Sequence, residues 1–218
     1  MSDVKNVCSN VCIYGLLESI VASGYPMLAK NKDMSDEVEN LKKYLNDECL
    51  SDADKERAER HLNRIKNLSS TKVGSGHDNA MLGITVQFDL SFTIKAWTEI
   101  ERYHFIDIVS SNSTMFCITK FDLNDRYIKH VDGRIVYIMK EKIKEYNELE
   151  DSELKKEKYL EILYSNPCGL ILTARVTTNY RQLKTIYIQR KTHRLPEWKA
   201  FCEWVETLPL SEFIIGKQ

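Results

Sequence analysis

Residues 84–92 constrain the fold more than any other stretch of this chain. Ile84, Val86, Phe88, Leu90 and Phe92 alternate with Thr85, Gln87, Asp89 and Ser91. Apolar side chains at every second position share one face of an extended backbone, so the segment predicts a strand with one buried face and one wet face. Such a strand needs partners, and the β-branched run LILTARVTT at 170–178 supplies a second one. Segments of helical period surround both. The pattern predicts an α+β fold, a mixed or antiparallel sheet flanked by helices.

Residues 11–29 place Leu16, Leu17, Ile20 and Val21 at helical spacing, with Gly24 and Pro26 as a stop. Residues 36–68 predict two charged helices. Val38, Leu41 and Leu45 line the first, and Ala58, Leu62 and Ile65 the second, which Ser51 and Asp54 open in the manner of a cap. The charge reads as a solvated face, and residues 30–72 as a charged helical insertion. A loop follows at 69–79. Residues 93–105 turn helical, with Trp97, Ile100 and His104 on one stripe, and the serines of 110–114 break the pattern. Residues 134–164 are helical again, with Leu154, Ile162 and Leu163 facing inward. Asn179 stands at an N-cap position before Tyr180, Leu183, Tyr187 and Arg190. Pro196 opens a last helix whose stripe is Trp198, Phe201, Cys202 and Val205.

The chain has 218 residues, enough for one sizeable domain spanning 1–218. Its 43% hydrophobic and 29% charged residues suit a packed core with a polar surface. With 31 basic against 32 acidic residues, the balance disfavours a partner that is a nucleic acid polymer. No apolar run approaches the roughly 20 residues that span a bilayer, and no signal-like segment opens the chain. Six scattered cysteines read as reduced thiols, which predicts a cytoplasmic protein.

Few motifs carry chemistry by themselves. Cys8 and Cys12 are four apart, but no second pair completes a zinc site, so no metal is expected. Neither Cys117 nor Cys168 has a nucleophile motif around it, and Ser110, Ser111 and Ser113 lie in no nucleophile elbow. Asn179, Arg181 and Thr185 at a helix start suit an anion, and Arg190 follows on the same helix. Arg102, Tyr103 and His104 form a second cationic and aromatic group. Two such groups suit a ligand that carries both phosphates and flat rings.

In its order of motifs the chain resembles the flavin-dependent thymidylate synthases of the ThyX type. GHDNAMLGITVQFDLSF resembles that family's Gly-His, polar turn and amphipathic strand. ERYHFIDIVSSNSTMF stands where the family carries Arg-His-Arg and its spaced serines. PCGLILTARVTTNYRQLKTIYIQR keeps the spacing of a proline, an Asn-x-Arg-x-Leu and a closing arginine at Pro167, Asn179, Arg181, Leu183 and Arg190. Trp198 lies in register with the family's following tryptophan. The resemblance spans roughly 74–205.

It implies a homotetramer with sites between subunits. The implied ligands are FAD, a pyrimidine deoxynucleotide, methylenetetrahydrofolate and NADPH, for a methyl transfer of the dUMP to dTMP type. Asn79, Asn179 and Arg181 would meet the flavin, together with Tyr103 or His104. Arg102, Ser113 and Arg190 would serve the nucleotide and the catalytic step. The chain departs from the pattern in several places. Tyr103 and His104 fall on the motif's histidine and second arginine, or a one-residue shift puts His104 on the histidine. The family's glutamate has no counterpart among Val109, Ser110 and Ser111, and Leu163 stands where a phosphate-contacting arginine is expected. Lys120, Arg126 and Arg175 are candidate replacements. The departures keep an alternative open: a catalytically degenerate homologue that binds a nucleotide or a protein.

Overall fold

The computed structural model describes residues 6–30 and 33–216, so residues 1–5, residues 31–32 of the charged segment and residues 217–218 lie outside the described residues. The period-two segment forms strand β2 (Thr85–Thr93). It pairs with β1 (Cys8–Tyr14) on one side and β4 (Ile171–Asn179) on the other, and β3 (Asp107–Ser111) adds to the far edge of β4. All three pairings are antiparallel, in the order β1-β2-β4-β3.

One face of the sheet carries Val86, Phe88, Leu90, Phe92, Ala174 and Val176, all buried. Helices α1 (Leu16–Ala22), α4 (Ile94–Ile100), α8 (Tyr180–Arg190), α9 (Pro196–Glu206) and α10 (Glu212–Ile215) contribute to the same core. Aromatic rings dominate its centre. Phe92 meets Trp97, Trp198 and Phe201 edge-on at 5.0–6.0 Å, and Phe88 lies 4.4 Å from Trp204. The expected stripe of α9 is the surface that packs here. The opposite face of the sheet is polar: Asp89 pairs with Arg175 across β2 and β4, and Arg175 also donates to the Asn10 carbonyl at 2.6 Å.

Helices α2 (Ser35–Leu45) and α3 (Asp52–Ser69) form the charged segment. They are more than a solvated addition, because Leu41, Ala58 and Ile65 are fully buried in the main core. Helices α6 (Gly133–Glu148) and α7 (Ser152–Ser165) make an antiparallel pair over a second, smaller core of Ile118, Tyr127, Met139, Ile162 and Leu170. Leu172 of β4 packs against both cores.

Four expectations need correction. Residues 8–14 are a strand, and the helix begins only at Leu16, after Gly15 turns the chain at φ 68°. A β-bulge between Ser9 and Cys12, with Asn10 at φ 50°, breaks the alternation that would have revealed β1. It also places Cys8 opposite Leu90 and Cys12 opposite Gln87, so the two thiols face opposite sides of the sheet. The serines at 110 and 111 belong to β3, an edge strand whose side chains are all exposed, so only its backbone pairing marks it. His104 lies beyond the end of α4 and is exposed, and Leu154 of α7 is 59% exposed.

Phe92→Ala should cost about 3–5 kcal/mol of unfolding free energy, because it empties the middle of the ring cluster. Urea denaturation measures this, and a loss below about 1 kcal/mol would mean the cluster is not packed as described.

Candidate functional site

Helix α8 carries the densest polar chemistry. Asn179 caps it: the side-chain oxygen accepts the Gln182 backbone N–H at 2.9 Å. Lys184 sits on the inner face beside Leu183 and Tyr187, only 5% exposed. Its ammonium donates to the carbonyls of Ser69 and Thr71 at 2.6 and 2.8 Å and to Asp78 Oδ2 at 3.3 Å. Those three acceptors use all its donors. Asp78 is fully buried, and its Oδ1 lies 3.0 Å from Arg181 Nε without hydrogen-bond alignment. The carboxylate is thus neutralised by two cations from successive turns of one helix.

The other end of α8 is held by a second acid. Glu99 Oε2 accepts from Arg190 at 3.0 Å and from the Trp198 indole N–H at 3.0 Å, and His193 Nε2 stands 3.3 Å away. Lys95 donates to Glu99 Oε1 at 2.8 Å. Arg190 Nε donates to the Tyr103 hydroxyl at 2.8 Å, and that hydroxyl donates to Gln189 at 2.9 Å. The guanidinium carbon of Arg190 lies 4.7 Å over the Trp198 ring and 5.5 Å from the Tyr103 ring. Burial pushes the Glu99 carboxyl up, but hydrogen bonds from Lys95 and Trp198 and the nearby His193 outweigh it, and the net shift is downward.

The structure places the sequence-predicted residues in several environments of one chain. Arg181 faces Asp78, whereas Arg190 and Tyr103 belong to the Glu99 network nine residues along α8, about 13 Å at 1.5 Å per residue. Arg102 and His104 are exposed. Ser113 precedes the short helix α5 (Thr114–Cys117) and makes no capping bond with its side chain. Of the candidate replacements, Arg126 stacks on Phe121 at 4.6 Å and reaches Asn112, and Arg175 is engaged by Asp89. Lys120 lines an open groove of about 700 Å³ with Phe116, Tyr146, Lys155 and Tyr159.

Asn79 lines a second large cleft. This cleft, of about 740 Å³, lies between α1, α3 and the 74–83 loop. Ser19, Ser23, Arg64, His77 and Asn79 give it a polar wall, and Ala22, Pro26, Met27, Leu68 and Ala80 an apolar one. Among the described residues no carboxylate lines it. Its volume and mixed walls suit a cofactor-sized ligand. Arg64, His61 and Glu37 escape sequence reasoning because they sit among many surface charges. Lys184 had a signal: a lysine on the inner stripe of a helix requires a buried acid.

Among the described residues no three His, Cys, Asp or Glu side chains converge as metal ligands would, all six cysteines are free thiols, and no helix is long and apolar enough to cross a membrane.

No protein-family model matches the sequence, and no curated protein matches it. Solved structures do match in fold. The flavin-dependent thymidylate synthase ThyX from Helicobacter pylori, solved with FAD and dUMP, is 12% identical at a TM-score of 0.58, with 95% of each chain covered. A second structure of Helicobacter pylori ThyX with FAD and dUMP is 10% identical at 0.58, covering 95% of this chain and 94% of that one. The UMP/dUMP methylase PolB from Streptomyces cacaoi, bound with 5-Br dUMP, is 14% identical at 0.55, covering 94% and 91%. The chain therefore has the ThyX fold.

Two outcomes follow from the pinned ends of α8. Asp78→Ala should cost about 3–5 kcal/mol in chemical denaturation, since it leaves a buried lysine without its counter-charge. The lowered Glu99 carboxyl means that the unfolded chain binds its proton more tightly. Its stabilisation is present above the usual carboxylate value near 4.3 and is lost as pH falls through the lower folded value. Melting curves between about pH 6 and pH 3 should therefore show a loss of stability that is reduced in Glu99→Gln, a variant already less stable at pH 6. Parallel curves for the two proteins would refute this role.

Proposed function

We propose that the chain binds FAD and a pyrimidine deoxynucleotide and carries out reductive one-carbon transfer to the pyrimidine ring, of the dUMP to dTMP type, as a homotetramer. The observation that supports this most is the full-length likeness of fold to two FAD- and dUMP-bound thymidylate synthases and to a UMP/dUMP methylase. The chain's own residues fit the cofactor at one end. The Asn79 cleft offers donors from Ser19, His77 and Asn79 beside an apolar wall, the donor set that a flavin nucleotide's polar half requires.

Bound FAD supplies the redox chemistry, with NADPH and methylenetetrahydrofolate as co-substrates. The protein supplies binding and electrostatics. Arg102 and His104 are exposed on one chain, so a site that uses them with Arg181 and Arg190 is completed between subunits. Arg102 and Ser113 then orient the nucleotide, and Arg190 favours negative charge on the uracil carbonyls. Tyr103, Asn179 and Arg181 face the flavin.

A second reading, a binding module without turnover, is favoured by one specific observation. The Arg190 guanidinium is already committed to Glu99, Tyr103 and Trp198, and Arg181 to Asp78. Removing an arginine that serves structure differs from removing one that serves substrate. Arg190→Ala should therefore cost about 2 kcal/mol of stability, whatever it does to ligands.

Purified protein should be yellow, or quench flavin fluorescence when FAD is added, and should release tritium from C5 of labelled dUMP when NADPH and methylenetetrahydrofolate are present. Flavin binding without tritium release would favour the second reading. A colourless protein indifferent to FAD would sink the first.

A further inference from the structure

Arg64 of α3 stands at the seam of two adjoining clefts, the 740 Å³ cleft of Asn79 and a smaller one of about 210 Å³ lined by Gly24, Glu37, Arg60 and His61. It is partly buried, and no carboxylate lies within ion-pair distance among the described residues. That is unusual for a desolvated cation. Burial and the neighbouring Arg60 push its pKa below the usual guanidinium value, and the upward pull of the Glu37 carboxylate does not restore it.

Its position is nonetheless fixed. Arg64 Nη1 lies 3.3 Å from His61 Nδ1, and His61 Nε2 lies 3.4 Å from Glu37 Oε2. A guanidinium only donates, so Nδ1 accepts and the hydrogen sits on Nε2, pointing to Glu37. Burial lowers the His61 pKa, consistent with this neutral ring. Glu37 thus orients Arg64 through a neutral imidazole, and its carboxylate, beyond ion-pair distance, offsets the guanidinium charge only in part. Gly24 leaves the space that the guanidinium occupies: a Cβ there would stand 2.0 Å from Arg64 Nη1.

We propose that Arg64 is the phosphate-binding residue of the cleft, that His61 and Glu37 are its positioning residues, and that the ligand is a nucleoside diphosphate group. The diphosphate would supply the missing counter-charge, with Ser19, His77 and Asn79 as further donors. The base would lie on the apolar wall of Ala22, Pro26, Leu68 and Ala80. This deepens the flavin reading and rests on it in one respect: the diphosphate is that of the cofactor's ADP half. It also gives the charged helix α3 a task in binding.

The test is calorimetric titration of the full chain with ADP and, separately, with FAD. Wild type should bind ADP with an affinity that falls as salt rises. Arg64→Ala should weaken ADP by about 10- to 100-fold and flatten the salt dependence, the loss expected for a charged hydrogen-bond donor. Arg64→Lys should fall between the two. Gly24→Ala keeps the arginine and its charge, and φ of −88° at Gly24 accepts an alanine backbone, so it should weaken ADP chiefly by displacing the guanidinium. His61→Gln can still accept from Arg64 and donate to Glu37, so it should bind nearly as wild type, whereas His61→Leu should not. If Arg64→Ala fails to fold, Arg64→Lys and Gly24→Ala decide. Wild type that ignores ADP, or Arg64 and Gly24 variants that bind it unchanged, would overturn the proposal. ADP binding that depends on Arg64 in a protein that ignores FAD would leave this inference standing and remove the flavin reading. FAD binding indifferent to Arg64 would do the opposite.

Discussion

The buried Asp78–Lys184 pair is the interaction on which the rest depends. Asp78 has no exposure and follows directly on His77, in the loop that leads into β2. An unpaired carboxylate there would cost several kcal/mol, so the loop is stable only where α8 meets it with a cation. Lys184 does more than neutralise. By donating to the carbonyls of Ser69 and Thr71 it also ends α3 against α8. One ammonium therefore fixes three segments: the end of α3, the 74–83 loop and the middle of α8. The first two of these supply Leu68, His77 and Asn79 to the large cleft.

Helix α8 is held the same way at its other end, where Glu99 gathers Arg190, Trp198 and His193. Its polar residues are thereby divided between two tasks. Asn179 Oδ1, the Lys184 ammonium and Arg190 Nε and Nη1 are engaged inside the chain. Arg64 is the contrasting case: it is oriented by an uncharged ring and, among the described residues, faces a cleft without an ion-pair contact. The difference is one of electrostatics, since a guanidinium already paired with a carboxylate has little left for a phosphate.

Much of the fold was legible. The alternation of 84–92, the N-cap at Asn179 and the apolar stripe of α9 are local signals, and each produced the expected element. Edge strands were not legible. β1 is short and bulged, and β3 has every side chain exposed, so neither carries an alternation. Their existence depends on backbone groups of β2 and β4 that seek partners. Of the candidate site residues, Arg181, Arg190 and Asn179 were found by their spacing, but spacing does not say whether a cation faces a ligand or a buried acid.

The sequence by itself determined the class of the fold, the two principal strands and the helices that cap and stripe themselves, because these follow from nearest-neighbour periodicity along one chain. Only the tertiary structure decided which charges are spent and which are free. Asp78 meets Lys184 across 106 positions and Glu99 meets Arg190 across 91, whereas Arg64, among the described residues, has the neutral ring of His61 as its hydrogen-bond neighbour and no ion-pair contact. The energy of a charge depends on what surrounds it in space, and no pattern of neighbours in sequence records that.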